Sequence, residues 1–179
     1  MQRRPMSKSF FKKSARAFLF LIGFICSALL ILSLLAPVTE TIMLPVSVRI
    51  YAFLHSFCHQ MPSRSLWYAN SNFGVCSHCF GVLAGVGLGA CFLAGCRSPS
   101  KFLNLCARRV FSISFLLVAP LMLDIFVDYF RGAVNPQGVR VLTGLMAGSG
   151  ALFFVSASFF KITMWVSRHL LILSEEGLR

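Results

Sequence analysis

Charged residues are scarce in this chain, and acidic residues are the scarcest. Only 12% of the 179 residues are charged, and only five are Asp or Glu, whereas soluble domains contain about 25% charged residues. Hydrophobic residues make up 57% of the chain, which excludes an ordinary soluble domain and indicates a membrane protein. The net charge of +12 does not indicate nucleic-acid binding, because that function requires a solvated basic face.

Several motifs of well-known enzyme classes are also missing. The chain has no Gly-rich nucleotide loop, no GxSxG nucleophile elbow and no HExxH zinc motif. It has one CxxC but lacks the second that would complete a four-cysteine zinc site. No clean small-x-small cleavage site follows the first apolar run, so this run is interpreted as an uncleaved span. The motifs therefore leave open whether the protein is an enzyme.

Long apolar segments predict an all-α polytopic membrane protein with four transmembrane helices. Each segment is close to the roughly 20 apolar residues that cross a bilayer. The first span is expected to end before Pro37, because proline cannot continue the helical hydrogen-bond ladder. The predicted organisation is a basic head at 1–16, a four-span membrane domain at 17–160 with spans at about 17–36, 76–96, 110–130 and 141–160, and a tail at 161–179.

A shorter amphipathic segment, residues 45–58, precedes the second span. Its apolar residues recur at helical spacing, which predicts one apolar stripe. The segment is too short to cross a membrane, so we expect an interfacial helix. Residues 60–75 are polar and rich in turn formers, which predicts a loop. The stripe consists of Val46, Ile50, Phe53, Leu54 and Phe57.

Lys and Arg are concentrated on one side of the predicted spans. The head contains six, the loop 97–109 four and the tail three, whereas the segments on the other side contain four in all. The positive-inside rule therefore predicts that both termini are cytoplasmic, with residues 58–79 facing outward. The expected location is the inner (plasma) membrane of a bacterium, with the lipid bilayer as partner. GxxxG ridges in spans two and four predict close helix contacts within one chain or in a homo-oligomer.

Cysteine and histidine residues converge on this outer face, in Cys58-His59 and in Cys76-Ser77-His78-Cys79. A Cys/His set of four is what a tetrahedral zinc site uses, and CxxC is a common half-site. The leading hypothesis is a zinc site with Cys58, Cys76, Cys79 and either His59 or His78 as ligands. A structural disulfide is one alternative. A membrane thiol–disulfide oxidoreductase with Cys76 and Cys79 as the active pair is another.

Two aspartates and two arginines are the candidate catalytic or binding residues at the same face. Asp124 and Asp128 are four residues apart, so they share one face of the third span. A carboxylate at membrane depth is costly unless it is paired or hydrated. The alternatives are an ion pair between spans, a shared proton, or a cation path in a transporter or scaffold. In the metal hypothesis Asp124 supports the site, and Arg64 and Arg140 hold the carboxylates or a lipid phosphate.

Four short motifs occur together in this chain: Cys-His-Gln-Met-Pro-Ser-Arg-Ser at 58–65, Cys-Ser-His-Cys-Phe-Gly at 76–81, the stretch from Pro120 to Asp124, and Arg-Val-Leu-Thr-Gly at 140–144. They resemble the motifs of one known family, the prokaryotic predicted membrane proteins called domain of unknown function 2085. The resemblance covers about residues 45–155 and implies a membrane fold and a shared site, but no activity. This chain has His78 where the family usually has Arg, and Asp128 where it usually has Gln.

Overall fold

The structure is a computed structural model that describes residues 8–68, 70–95, 109–132 and 135–176. It is mostly helical, and four of its helices are long and apolar enough to cross a bilayer, which confirms the predicted fold class. Among the predicted segments, the structure does not describe residues 1–7 of the head, the last residue of the second span, 96, residues 97–108 of the loop 97–109, or the last three residues of the tail. The elements in chain order are α1 (Lys8–Ile42), α2 (Leu44–His55), β1 (Ser65–Tyr68), β2 (Ser71–Cys76), α3 (Ser77–Gly95), α4 (Val110–Arg131) and α5 (Gln137–Glu176).

Helix α1 continues through Pro37 to Ile42 and does not end at Ala36 as the sequence predicted. Proline inside a membrane helix is tolerated where neighbouring groups satisfy the backbone that it disturbs. The Ser47 hydroxyl of α2 donates to the carbonyl of Ala36, the residue before Pro37, over 3.1 Å. Pro37 and Ser47 are both fully buried. Helix α2 thus folds back on the end of α1, at the end of the molecule that carries the hairpin.

A two-stranded antiparallel hairpin occupies most of the segment that was predicted to be a loop. Ser65 pairs with Cys76 and Tyr68 with Ser71, and one irregularity interrupts the register. Of the turn formers that indicated a loop, Asn70 lies in the connection, where it adopts a positive φ of 66°, a conformation that Asn tolerates. The hairpin delivers Cys76 directly to the start of α3.

Helices α3 and α5 cross at the centre of the molecule through their glycines. A Cβ atom added at Gly81 would lie 3.0 Å from the Cα of Gly144 and 2.9 Å from the backbone nitrogen of Leu145. Only glycine permits this backbone approach, as the GxxxG spacing predicted. Helix α3 also packs against α1, and α4 packs against α5. The crossing therefore joins the start of α3 to the start of α5, where the candidate site residues lie.

Helix α5 is 40 residues long, or about 60 Å at 1.5 Å per residue. Its apolar part, Gln137–Phe159, is long enough to span the bilayer, and the described part of the predicted tail continues the same helix. Phe18 of α1 stacks on Phe159 with ring centroids 4.5 Å apart. The N-terminal half of α1 and the far half of α5 therefore lie together, at the end opposite the hairpin.

Candidate metal centre

Three cysteines from three consecutive segments meet beneath the hairpin. Cys58 follows α2, Cys76 ends β2, and Cys79 lies in the first turn of α3. Their sulfur atoms all lie within 4.8 Å of one another, and all three are free thiols. Cys58 is 5% exposed, and its Sγ accepts a hydrogen bond from the backbone amide of Cys76 over 3.2 Å. We call Cys58, Cys76 and Cys79 the thiol cluster.

Gln60 connects the segments that carry the thiol cluster through its side-chain amide. Its Nε2 donates to the carbonyl of Tyr51 in α2 and to the carbonyl of Gly74 in β2, each over 2.8 Å. Its backbone has a positive φ of 51°, which turns the chain back after Cys58. The Tyr51 hydroxyl also donates to the Asn72 carbonyl over 2.5 Å. The segment that carries Cys58 is therefore fastened to the strand that carries Cys76.

The thiols of the cluster share their protons unequally. Hydrogen bonds from the side chain of Cys76, and then from that of Cys79, hold the pKa of Cys58 well below its usual range. The pKa of Cys76 is raised, because its thiol is the donor in the bond to Cys58. These shifts favour Cys58 as the thiolate of the cluster. Thiolate is the form that binds metals and attacks disulfides.

A cavity of about 320 Å³ opens beside the thiol cluster. Both candidate histidines, His59 and His78, line it, together with Arg64 and all three cysteines of the thiol cluster. We call it the polar cavity because of these histidine and arginine side chains. His59 and Arg64 are exposed, whereas His78 is partly buried. In the described part of the chain, the group of ligand atoms within 4.8 Å of one another contains the three sulfurs and no histidine nitrogen.

His78 contacts Asp124 instead of the sulfur atoms. Its Nε2 lies 2.6 Å from Oδ2 of Asp124. Asp124 also accepts hydrogen bonds from Nδ2 of Asn135 over 2.5 Å and from the Thr143 hydroxyl over 3.1 Å. This carboxylate is 5% exposed, and the three donors compensate for its burial. Asp124 thereby fixes the orientation of His78 in the wall of the polar cavity.

Asp128 forms a buried ion pair with Arg140. Nη2 of Arg140 donates to Oδ2 of Asp128, and Oδ1 accepts the backbone amide of Asn135 over 2.9 Å. Arg140 has no exposed surface. Within the described residues, its Nε and Nη1 have no hydrogen-bond partner, and neither does the hydroxyl of the fully buried Ser77. The ion pair links α4 to α5. It corresponds to one of the alternatives from the sequence, an ion pair between spans.

The structure thus brings together some of the predicted site residues and separates others. Cys58, Cys76 and Cys79 form one cluster, His78 joins Asp124, and Asp128 joins Arg140. Gln60, Asn135 and Thr143 were not assigned a role from the sequence, although Gln60 and Thr143 lie inside the motifs that carry the family resemblance. No sequence pattern reveals that the side-chain amide of Asn135 reaches a carboxylate eleven positions earlier.

Comparisons with known proteins cover most of this site. The sequence profile of the family described as "Predicted membrane protein (DUF2085)" matches residues 58–154. The "Uncharacterized protein MJ1492" of Methanocaldococcus jannaschii is 26% identical over 119 residues, which is 65% of this chain and 72% of that protein. No solved structure matches the chain. The range matched by the family includes the thiol cluster, both buried aspartates and Arg140, and neither description names an activity.

Proposed function

Since the chain belongs to the family of predicted membrane proteins called domain of unknown function 2085, we propose that this membrane protein binds a thiophilic metal ion, zinc, through Cys58, Cys76 and Cys79. The observation that carries the proposal is the approach of the three sulfur atoms to within 4.8 Å of one another. Sulfurs that share one tetrahedral zinc are about 3.8 Å apart, because each Zn–S bond is about 2.3 Å long. Small side-chain rotations would therefore complete the site.

The fourth ligand comes from the polar cavity. His59 lies next to Cys58 in sequence, is exposed and lines this cavity, so it can turn toward the metal. His78 is the other candidate. Its Nε2 is held by Asp124, which leaves Nδ1 to face a metal, and metal-bound histidines typically bond a carboxylate through the second ring nitrogen. Asp124 would then orient the ligand. A water molecule at this position would instead leave the metal open to substrates.

The proximity of the thiols also supports a second candidate function, thiol–disulfide exchange with a disulfide-bearing protein. The Cys58 thiolate would attack the partner's disulfide and release one partner thiolate. Cys76 or Cys79 would then displace the second partner sulfur, so that this chain gains a disulfide and the partner gains two thiols. The two functions make different demands on the cluster, because a metal protects thiols whereas exchange requires them to be reactive.

Metal analysis of the purified protein tests the proposal. We expect about one zinc per chain after purification in detergent without chelator, measured by inductively coupled plasma mass spectrometry. Cys58→Ser, Cys76→Ser and Cys79→Ser should each lower the metal content at least about tenfold, because a hydroxyl is a poor zinc ligand. Cys91→Ser is the matched control, since Cys91 lies on α3 outside the cluster. His59→Ala and His78→Ala identify the fourth ligand.

Thiol trapping on the same samples separates the two candidate functions. In a zinc site, alkylation of the three cysteines is slow until a chelator is added. In an exchange protein, alkylation is fast without a chelator and is blocked by an oxidant that forms a disulfide. A wild-type protein without stoichiometric metal, whose metal content does not respond to any of the three substitutions, would refute the zinc proposal.

We also propose that both termini are cytoplasmic and that the thiol cluster faces the outside of a bacterial plasma membrane. The support is the excess of Lys and Arg in residues 1–16, 97–109 and 161–179. The stacking of Phe18 on Phe159 is consistent with this arrangement, because it sets the two terminal helix segments at the same end of the molecule.

A further inference from the structure

A second cavity meets the thiol cluster from another side. It has a volume of about 190 Å³ and is lined by apolar side chains of α1, α2, β2 and α3, together with Cys58 and Cys79. Phe57, Cys58 and Cys79 line both this apolar cavity and the polar cavity. The thiol cluster therefore lies where a polar space and an apolar space join. The apolar side chains include Leu29, Leu54, Val82 and Leu83.

The polar cavity contains one permanently cationic side chain, Arg64, which is exposed. Among the residues that the structure describes, the ion pairs join Asp124 to His78 and Asp128 to Arg140, and no carboxylate pairs with Arg64. Arg64 is therefore available as a charge-assisted partner for an anionic group.

From this junction we propose that the two cavities together bind an anionic phospholipid of the surrounding bilayer. Its phosphate lies beside Arg64 in the polar cavity, and the first part of one acyl chain fills the apolar cavity. A phosphate alone would leave the apolar cavity unfilled, and a hydrocarbon alone would leave Arg64 unpaired. The inference goes beyond the metal proposal and rests on the cavities alone, so each can fail without the other.

The apolar cavity is large enough to hold part of an acyl chain. A methylene group occupies a volume close to that of a water molecule, about 30 Å³, so about 190 Å³ accommodates roughly six methylenes. Each methylene removed from water improves affinity by roughly fourfold. The acyl chain of a bilayer lipid is already in hydrocarbon, so it does not gain this affinity when it enters the cavity. The acyl chain therefore determines where the lipid lies, and Arg64 selects its headgroup.

Photocrosslinking tests the proposal on the full-length protein in phosphatidylcholine vesicles. The probe is phosphatidylglycerol with a diazirine on the early part of one acyl chain, and labelled peptides are identified by mass spectrometry. We expect labelling to concentrate on residues 54–58 and 79–83. Leu83→Trp fills the apolar cavity and should reduce this labelling about fivefold or more. Leu88→Trp is the matched control, because Leu88 lies on the same helix and is 64% exposed.

The charge is tested with Arg64→Gln, which should reduce phosphatidylglycerol labelling about tenfold, the loss of one charge-assisted contact. Arg49→Gln, an exposed arginine on α2 outside both cavities, is the control. A phosphatidylcholine probe should label wild type weakly, and inorganic phosphate should not compete with the lipid. Equal labelling of Leu83→Trp and Leu88→Trp, or displacement by inorganic phosphate, would overturn the lipid assignment.

The metal content of the same samples distinguishes the lipid proposal from the metal proposal. Leu83→Trp and Arg64→Gln should retain the metal content of the wild type, which also shows that these variants are folded. Removal of the metal from the wild type with a chelator should leave its lipid labelling in place. Loss of labelling on metal removal together with unchanged labelling in Leu83→Trp would contradict the lipid inference, because the label would then follow the metal and not the cavity.

Discussion

Arg140 has no exposed surface although it carries a full charge. The ion pair with Asp128 accommodates this buried charge. Removing one member of such a pair typically lowers the stability by about 3–5 kcal/mol, because the other charge is left buried without a partner. The buried carboxylate of Asp124 is instead compensated by hydrogen bonds with His78, Asn135 and Thr143. Both aspartates are thus engaged within the protein, which favours a role in positioning His78 and joining α4 to α5 over a role in a cation path.

Gln60 allows a sharp test at the level of one side chain. Gln60→Glu keeps the shape of the residue but removes the Nε2 donor and sets a carboxylate against the carbonyls of Tyr51 and Gly74. We expect the free energy of unfolding to fall by about 2 kcal/mol or more, because two acceptors lose their partner. Thermal unfolding in detergent measures this, and metal content should fall with it as Cys58 moves away from Cys76.

Gln137→Glu is the comparison for that substitution. Gln137 also donates through Nε2, to the Ser65 carbonyl over 2.9 Å, but it is the first residue of α5. A negative charge is favourable at a helix N-terminus, which offsets the lost hydrogen bond. We expect a change of less than about 1 kcal/mol. Equal destabilisation by the two substitutions would mean that Gln60 does not have the clamping role.

Among the elements, the pair α3 and α5 depends most on residue size. We expect Gly81→Ala to lower the free energy of unfolding by about 1–3 kcal/mol, because the added methyl group would force the two backbones apart. Gly95→Ala on the same helix should be neutral, since nothing lies within 4 Å of that position. Denaturant titration in detergent measures both. An equal response of the two variants would show that the crossing tolerates separation.

The sequence predicted the helical elements better than their connections. Span positions follow from apolar length, and the crossing of α3 and α5 follows from glycine spacing. The hairpin was missed because Asn70 and its neighbours indicate a turn without indicating which flanking residues will pair. The continuation of α1 past Pro37 was also missed, because proline usually ends a helix. The contact of Ser47 with the Ala36 carbonyl, eleven residues earlier, belongs to no local pattern.

At the scale of the whole molecule, the sequence predicted that the cysteines, aspartates and Arg140 converge on one end. It could not predict their pairing. His78 was a candidate ligand by its place in Cys-x-x-Cys, but its partner Asp124 lies 46 residues later on a different span. The thiol cluster was predictable because CxxC at a helix start fixes two sulfurs, and the apolar stripe of α2 leads to the third.

The orientation of the molecule leads to a prediction at this scale. A protease-cleavable tag inserted at Asn70, in the exposed hairpin connection, should be cut in right-side-out vesicles. Tags at either terminus should be cut only in inverted vesicles. This follows from the thirteen Lys and Arg residues on the terminal side against four on the other. Cleavage of a terminal tag in right-side-out vesicles would reverse the proposed orientation.

The origin of the three sulfurs in three successive segments determines when the site can form. In the proposed orientation, Cys58 and Cys76 reach their places only after the hairpin has crossed the bilayer and folded back on α1, and Cys79 arrives with the next span. The proposed ligand set would then be completed after insertion, on the face of the membrane away from the ribosome. The zinc of the proposed site would therefore come from the compartment that the hairpin faces, and its occupancy should follow the zinc supply of that compartment.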